Sequence, residues 1–252
     1  MILRGYNRHS TNIKILILLL YCLSMICGNN KEQDFVNMIG RIRNIICSQD
    51  GTSDISDARN FLSCAYGLFS NWKNFFQFQN IKSMNITNFK SQFEHFLDES
   101  GNGSWSGLAR HKKSLLQNPR ALQKAVIDLL KCTQNFQKIK QTLKDLCLTN
   151  RGGHIGGMSV FLCTAILFAS DEGNFIVVDS PVKEYFGILD DEDTINNYGC
   201  IIGKTKDYAA NVDLPMWHIN KAYAIFNNNM NLKIKNLRNQ CSFSGNPRTV
   251  HI

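Results

Sequence analysis

The stretch from Met158 to Ala169 constrains this chain most: it carries no charge and is apolar on every side at helical spacing. A helix of that kind loses too much by facing water on any side, so it belongs at the centre of a domain with other elements packed around it. The rest of the chain supplies such elements. Phe35, Met38, Ile39, Ile42, Ile45 and Ile46 recur at three- and four-residue steps from Lys31 onward, which predicts an amphipathic helix. A second is expected from about Ile55 to Gln77, and a shorter one, capped by Thr87 or Asn88, carries Phe89, Phe93, Phe96 and Leu97. Asn118-Pro119 reads as a capping residue with proline at the first helical position, ahead of Leu122, Ala125, Val126, Leu129 and Leu130. Phe136 to Cys147, a helix entered at Ser180-Pro181, Thr194 to Asn211 and Pro215 to Asn228 complete the set. Phe175-Ile176-Val177-Val178 is the one short extended piece, and strands do not alternate anywhere, so the fold class is all-α.

At 252 residues the chain has room for one large domain or two small ones. The expected order is a signal-like segment over 1–28, an N-terminal helical subdomain over 29–100, a core over 101–228 and a basic polar tail over 229–252. Ser100-Gly101-Asn102-Gly103-Ser104 marks the interior boundary. With only 4 Pro, 17 Gly and no tandem period, collagen-like and solenoid architectures are excluded.

Residues 1–28 differ from the rest. Arg4, Arg8 and Lys14 occur without an acid, the apolar run Ile15 to Leu23 follows, and Ser24 to Gly28 ends the segment. That is the layout of a secretory signal peptide, with a retained anchor or an ordinary buried helix as alternatives. The run falls short of the ~20 residues of a membrane span, so no span is expected once it is cleaved. Cleavage removes three basic residues and no acid, lowering the net charge from +8 to +5. A basic balance favours anionic partners, nucleic acid or a membrane surface. Export would make Asn85-Ile86-Thr87 and Asn102-Gly103-Ser104 glycosylation acceptors at Asn85 and Asn102.

Of the nine cysteines, Cys22 and Cys27 lie in the signal-like segment. Cys163, inside the apolar stretch, reads as a buried inert thiol. Cys47, Cys64, Cys132, Cys147, Cys200 and Cys241 remain, enough for three disulfides in fifteen arrangements. No Cys-x-x-Cys or Cys/His cluster is present, so no metal or cofactor is expected.

Gly199 to Thr205 ends in Gly-Lys-Thr like a phosphate loop, but position 198 is Tyr and no strand precedes it, so a helix with an exposed lysine is expected. His154 and His218 are candidates for acid–base work, since an unperturbed imidazole titrates near neutrality, yet they have no acidic or nucleophilic neighbour in sequence. Trp105, between Ser104 and Ser106, is a stacking candidate whose ordinary role is to tuck into the core. No catalytic signature such as HExxH or GxSxG occurs.

The informative stretch is Gly152 to Gly187: a Gly-rich turn, the apolar helix, a loop, Phe175-Ile176-Val177-Val178-Asp179, then a capped helix. Glycines ahead of a helix let backbone amides approach a phosphate, and the helix dipole favours the anion. The contact set would be Gly153, His154, Gly156, Gly157 and Ser159; the alternative is a tight turn between core helices. This arrangement, with Asp213-Leu214-Pro215-Met216-Trp217 heading a later helix, resembles the core of the helix-hairpin-helix DNA glycosylase superfamily over about residues 118–228. It is closer still to prokaryotic relatives associated with restriction-type modules. The resemblance implies backbone binding of nucleic acid and assigns Asp179 to stabilising an oxocarbenium-like sugar or activating water. Two departures are visible: Gly156-Gly157-Met158-Ser159 replaces the usual Gly-apolar-Gly, and no lysine lies between Ser159 and Thr164, so a lyase step is not implied.

Two functional expectations follow. One is a nucleic-acid-binding domain of glycosylase-like fold, with or without base excision. The other is a secreted, disulfide-containing helical protein that binds protein partners and has no enzymatic activity.

Overall fold

The computed structural model describes residues 31–44, 71–101, 107–149 and 152–227, and all regular structure among them is helical. The signal-like segment, Asn102, Trp105 and the basic tail lie outside these residues. Helix α1 spans 31–44. It is followed by α2 (Phe78–Ser83), α3 (Ile86–Gly101), a 3-10 turn (Leu108–His111) that continues into α4 (Lys112–Leu115), α5 (Pro119–Lys131) and α6 (Phe136–Cys147). Beyond the Gly-rich turn come α7 (Val160–Ser170), α8 (Ser180–Phe186), α9 (Asp191–Val212) and α10 (Met216–Asn227).

Local chemistry sets most helix starts. Asn118 accepts from the Ala121 amide at 3.1 Å with Pro119 beside it, Asn135 accepts from Lys138 at 3.0 Å, and Ser159 accepts from Leu162 at 3.2 Å. Each satisfies an amide that the first turn leaves without an intrahelical partner. The α3 start falls earlier than expected, because Asn85 rather than Thr87 or Asn88 presents its oxygen to the Asn88 amide at 2.9 Å. Of the helix expected from Ile55 to Gln77, the described residues 71–76 form turns, and the part before them lies outside the described residues. Trp72, Phe75 and Phe76 are all buried there, and the Trp72 indole donates to Glu99 at 3.0 Å.

The core follows from the central helix. In α7 every residue from Leu162 to Ala169 is buried, as its uniformly apolar composition requires. Apolar packing is continuous across the boundary expected at Gly101, joining Phe89, Phe93 and Phe96 to Leu108, Leu122 and Leu129. Gln123 of α5 donates to the Ile81 and Met84 carbonyls at 2.9 and 2.8 Å, and Lys112 of α4 pairs with Asp98 of α3 at 2.8 Å. No helix among the described residues is long and apolar enough to cross a membrane.

Cys132, Cys147, Cys163 and Cys200 are free thiols. The three-disulfide expectation is therefore not met by its described members; Cys47, Cys64 and Cys241 lie outside the described residues. Cys163 is buried, with the Cys147 sulfur 3.5 Å from its own. The Gly-Lys-Thr stretch lies inside α9, where Lys204 pairs with Glu32 of α1 at 2.7 Å.

Candidate functional site

Phe175 to Val178 form a fully buried non-helical segment with no strand beside it among the described residues. Buried backbone groups need partners, and here side chains supply them. The Val177 amide donates to Asn220 Oδ1 at 2.9 Å, and Asn220 Nδ2 donates to the Val177 carbonyl at the same distance. Thr164 Oγ1 accepts from the Val178 amide at 3.0 Å, and the Tyr198 hydroxyl donates to the Ile176 carbonyl at 3.0 Å.

This bonding places Asp179. The segment returns along α7 from Asp171 at its C-terminus to Thr164, which is about 7 Å of helix rise from Ser159. Asp179 is thereby carried back toward the Gly-rich end of α7. There it caps α8: its Oδ1 accepts from the Val182 amide at 3.3 Å. Burial pushes its carboxyl up to about 6, opposed by the Val182 hydrogen bond and by the positive charge of Lys221.

Lys221 lies on α10, immediately after Asn220, and is itself buried. Burial brings its ammonium down to about 8, and the Asp179 charge works the other way. His218, three residues earlier and so on the same side of α10, is buried with Nδ1 unpartnered among the described residues. Burial lowers its imidazole to about 4, and the Trp217 ring sits 3.6 Å from it. Sequence reasoning noticed His218 but missed Asn220 and Lys221. Their only signal was two polar residues on the inner face of an apolar helix.

The charges in this cluster have opposite consequences for stability. Lys221 is depressed below its unfolded value, so from about pH 8 upward the unfolded chain holds a proton that the folded chain lacks, and stability climbs. Asp179 is raised, so its contribution falls as pH rises from the ordinary Asp value through about 6. His218 is lowered, so its contribution rises from about pH 4 to its ordinary value and offsets Asp179. The Cys163 thiol, raised by its contact with Cys147 and by burial, loses its proton in the unfolded chain over the same alkaline range and works against Lys221, so Lys221 is read as the difference between the native protein and a Lys221 variant. Urea unfolding should show the native protein gaining stability relative to Lys221→Met between about pH 8 and pH 9.5. Equal slopes would mean that Lys221 is charged in the fold at alkaline pH.

At the other end of α7, the Gly-rich turn packs against the 3-10 turn and α4. The Met158 amide donates to the Ile155 carbonyl at 2.9 Å, closing the turn. A Cβ on Gly156 would lie 3.1 Å from Ser114 Oγ, and one on Gly157 would lie 3.0 Å from both His111 and Leu115. Gly157 also has φ +91°, which a residue with a side chain adopts only under strain. The amides of Gly156 and Gly157 donate to no described residue. His154 is partly buried with Nδ1 unpartnered among the described residues, Gly153 lies against the Asp145 carbonyl, and the Ser159 hydroxyl is engaged as the α7 cap. Asn85 is exposed at the start of α3.

Comparison with protein-family models, with curated proteins and with solved structures finds no match to this chain.

Proposed function

We propose that the chain is a nucleic-acid-binding domain of helix-hairpin-helix glycosylase type, gripping the phosphate backbone at Gly156-Gly157 and carrying Asp179 as the group able to act on a bound nucleoside. The observation that carries this reading is the pair of amides, unpartnered among the described residues, in a turn packed against the basic segment Arg110 to Lys113. Backbone N–H groups at the start of a helix suit an anion, and nearby cations add sequence-independent attraction.

Asp179 fits the catalytic part through its environment. Breaking an N-glycosidic bond builds positive charge on the sugar, and a carboxylate fixed nearby stabilises it or takes a proton from the attacking water. The Val182 amide fixes the orientation of Asp179, and the Lys221 charge favours its ionised form at neutral pH. Residues 1–28 and the exposed Asn85 support a second reading, an exported helical protein binding protein partners. Export and backbone binding are compatible if the target is extracellular nucleic acid.

Titration of residues 29–252 against labelled duplex and single-stranded DNA across a salt series tests the first reading. Affinity should fall linearly in log salt. Gly156→Glu, which puts a carboxylate at the turn without demanding positive φ, should weaken binding at least tenfold (about 1.4 kcal/mol). Asp179→Asn should keep binding and abolish any base release. No binding at low salt overturns the reading and leaves the protein-partner reading in place.

A further inference from the structure

Outside the turn, a groove of about 540 Å³ lies between α3 and the 3-10 turn with α4, bordered by Lys90, Glu94, Arg110, Lys112 and Lys113. Its cations divide into two kinds. Lys112 is held by Glu94 at 2.9 Å and Asp98 at 2.8 Å, so its charge is spent inside the protein. Lys90, Arg110 and Lys113 are exposed and have no acidic partner among the described residues. Three like charges converging on one concave surface repel each other, and an anion seated among them relieves that repulsion.

The position of the groove says what kind of anion. Arg110 and Lys113 face the groove, while His111, Ser114 and Leu115 of the same short segment touch Gly156 and Gly157. The groove and the turn are thus the two sides of one stretch of chain. An isolated phosphate would engage one of them; a phosphodiester chain can engage both.

We infer that the groove bordered by Lys90, Arg110 and Lys113 is a second phosphate-binding site, contiguous with the Gly156-Gly157 turn, and that the two hold phosphates of one nucleic-acid backbone. The inference rests on the nucleic-acid reading above, and its test separates the two. Duplex DNA is titrated across a salt series with the native protein and with the triple variant Lys90→Ala, Arg110→Ala, Lys113→Ala. Circular dichroism and thermal melting confirm that the variant is folded, and Lys113→Glu alone serves if it is not. Each lost phosphate contact removes about 0.9 from the slope of log affinity against log salt, so the triple variant should lose about 2–3. Lys113→Glu should lose about 1 and weaken binding at low salt. Native binding with an unchanged slope in the variant overturns the groove and leaves the turn standing. No native binding overturns both. Heparin binding that matches DNA in affinity and slope overturns nucleic acid as the ligand.

Discussion

Replacing Asn220 with leucine should lower the unfolding free energy by about 2–5 kcal/mol, because one side chain satisfies both backbone groups of Val177 in the core. The Val177 amide and carbonyl each meet the Asn220 amide at 2.9 Å, and Val177 has no exposure at all. Leucine fills a similar volume but leaves a buried donor and a buried acceptor unpaired, each costing about 1–3 kcal/mol. For a chain of this size that corresponds to about 5–15 °C in melting temperature. Thr164→Val removes only the acceptor for the Val178 amide and should cost less, about 1–3 kcal/mol. Chemical denaturation of the three proteins checks the order. An Asn220→Leu protein within about 1 kcal/mol of native would mean that water or a shifted backbone replaces the bonds. Because Asp179 follows this segment directly, the variant should also lose any activity that depends on Asp179.

The same segment shows how far the sequence could be read. Two helix starts were legible because they are local: Asn118-Pro119 and the turn at Asp179 each cap with an amide three residues on, whereas the cap at Ser159 was not read from sequence. The central position of α7 was legible from composition alone. What binds the segment was not, since Asn220 lies 43 residues beyond Val177 and Lys221 is described by sequence only as a polar residue in a helix. Lys221 matters to Asp179 through burial, which three-dimensional packing creates. The boundary expected at 100–104 rested on loop composition, and a Gly/Ser loop joins packed helices as readily as it separates domains. The Gly-Lys-Thr stretch was rightly assigned to a helix, because Ile195, Tyr198, Ile201, Ile202, Thr205 and Tyr208 keep helical spacing through it and are buried. Sequence put its candidate phosphate contacts at the glycines; it gave no sign that the segment carrying Arg110 and Lys113 packs beside them through His111, Ser114 and Leu115.

Phe35→Ala should be the most destabilising single change available in α1, at about 3–5 kcal/mol. Phe35 is fully buried in a cage of rings from α8, α9 and α10: stacked on Tyr223 at 4.8 Å, tilted against Tyr185 at 4.6 Å and Tyr208 at 5.1 Å, and edge-on to Phe226 at 5.5 Å. Such ring contacts add about 0.5–1.5 kcal/mol each to area burial, and the cage has no alternative occupant among its own residues. The polar contacts of α1 are weaker anchors. Lys31 donates to the Tyr185 carbonyl at 2.8 Å, and Glu32 accepts from Lys204 and Tyr208 at the exposed edge, where such pairs contribute about 0–1 kcal/mol. Losing the ring therefore removes the largest single buried contact of α1, leaving Met38, Ile39 and Ile42 as its other buried side chains. Hydrogen exchange should report it directly: amides of 31–44 lose protection first, and α10 around Tyr223 loses protection next. Phe35→Leu, which keeps part of the volume, should fall between native and alanine. If α1 kept native protection in Phe35→Ala, the ring cage would not be its anchor, and the buried Ile39 and Ile42 would be carrying it instead.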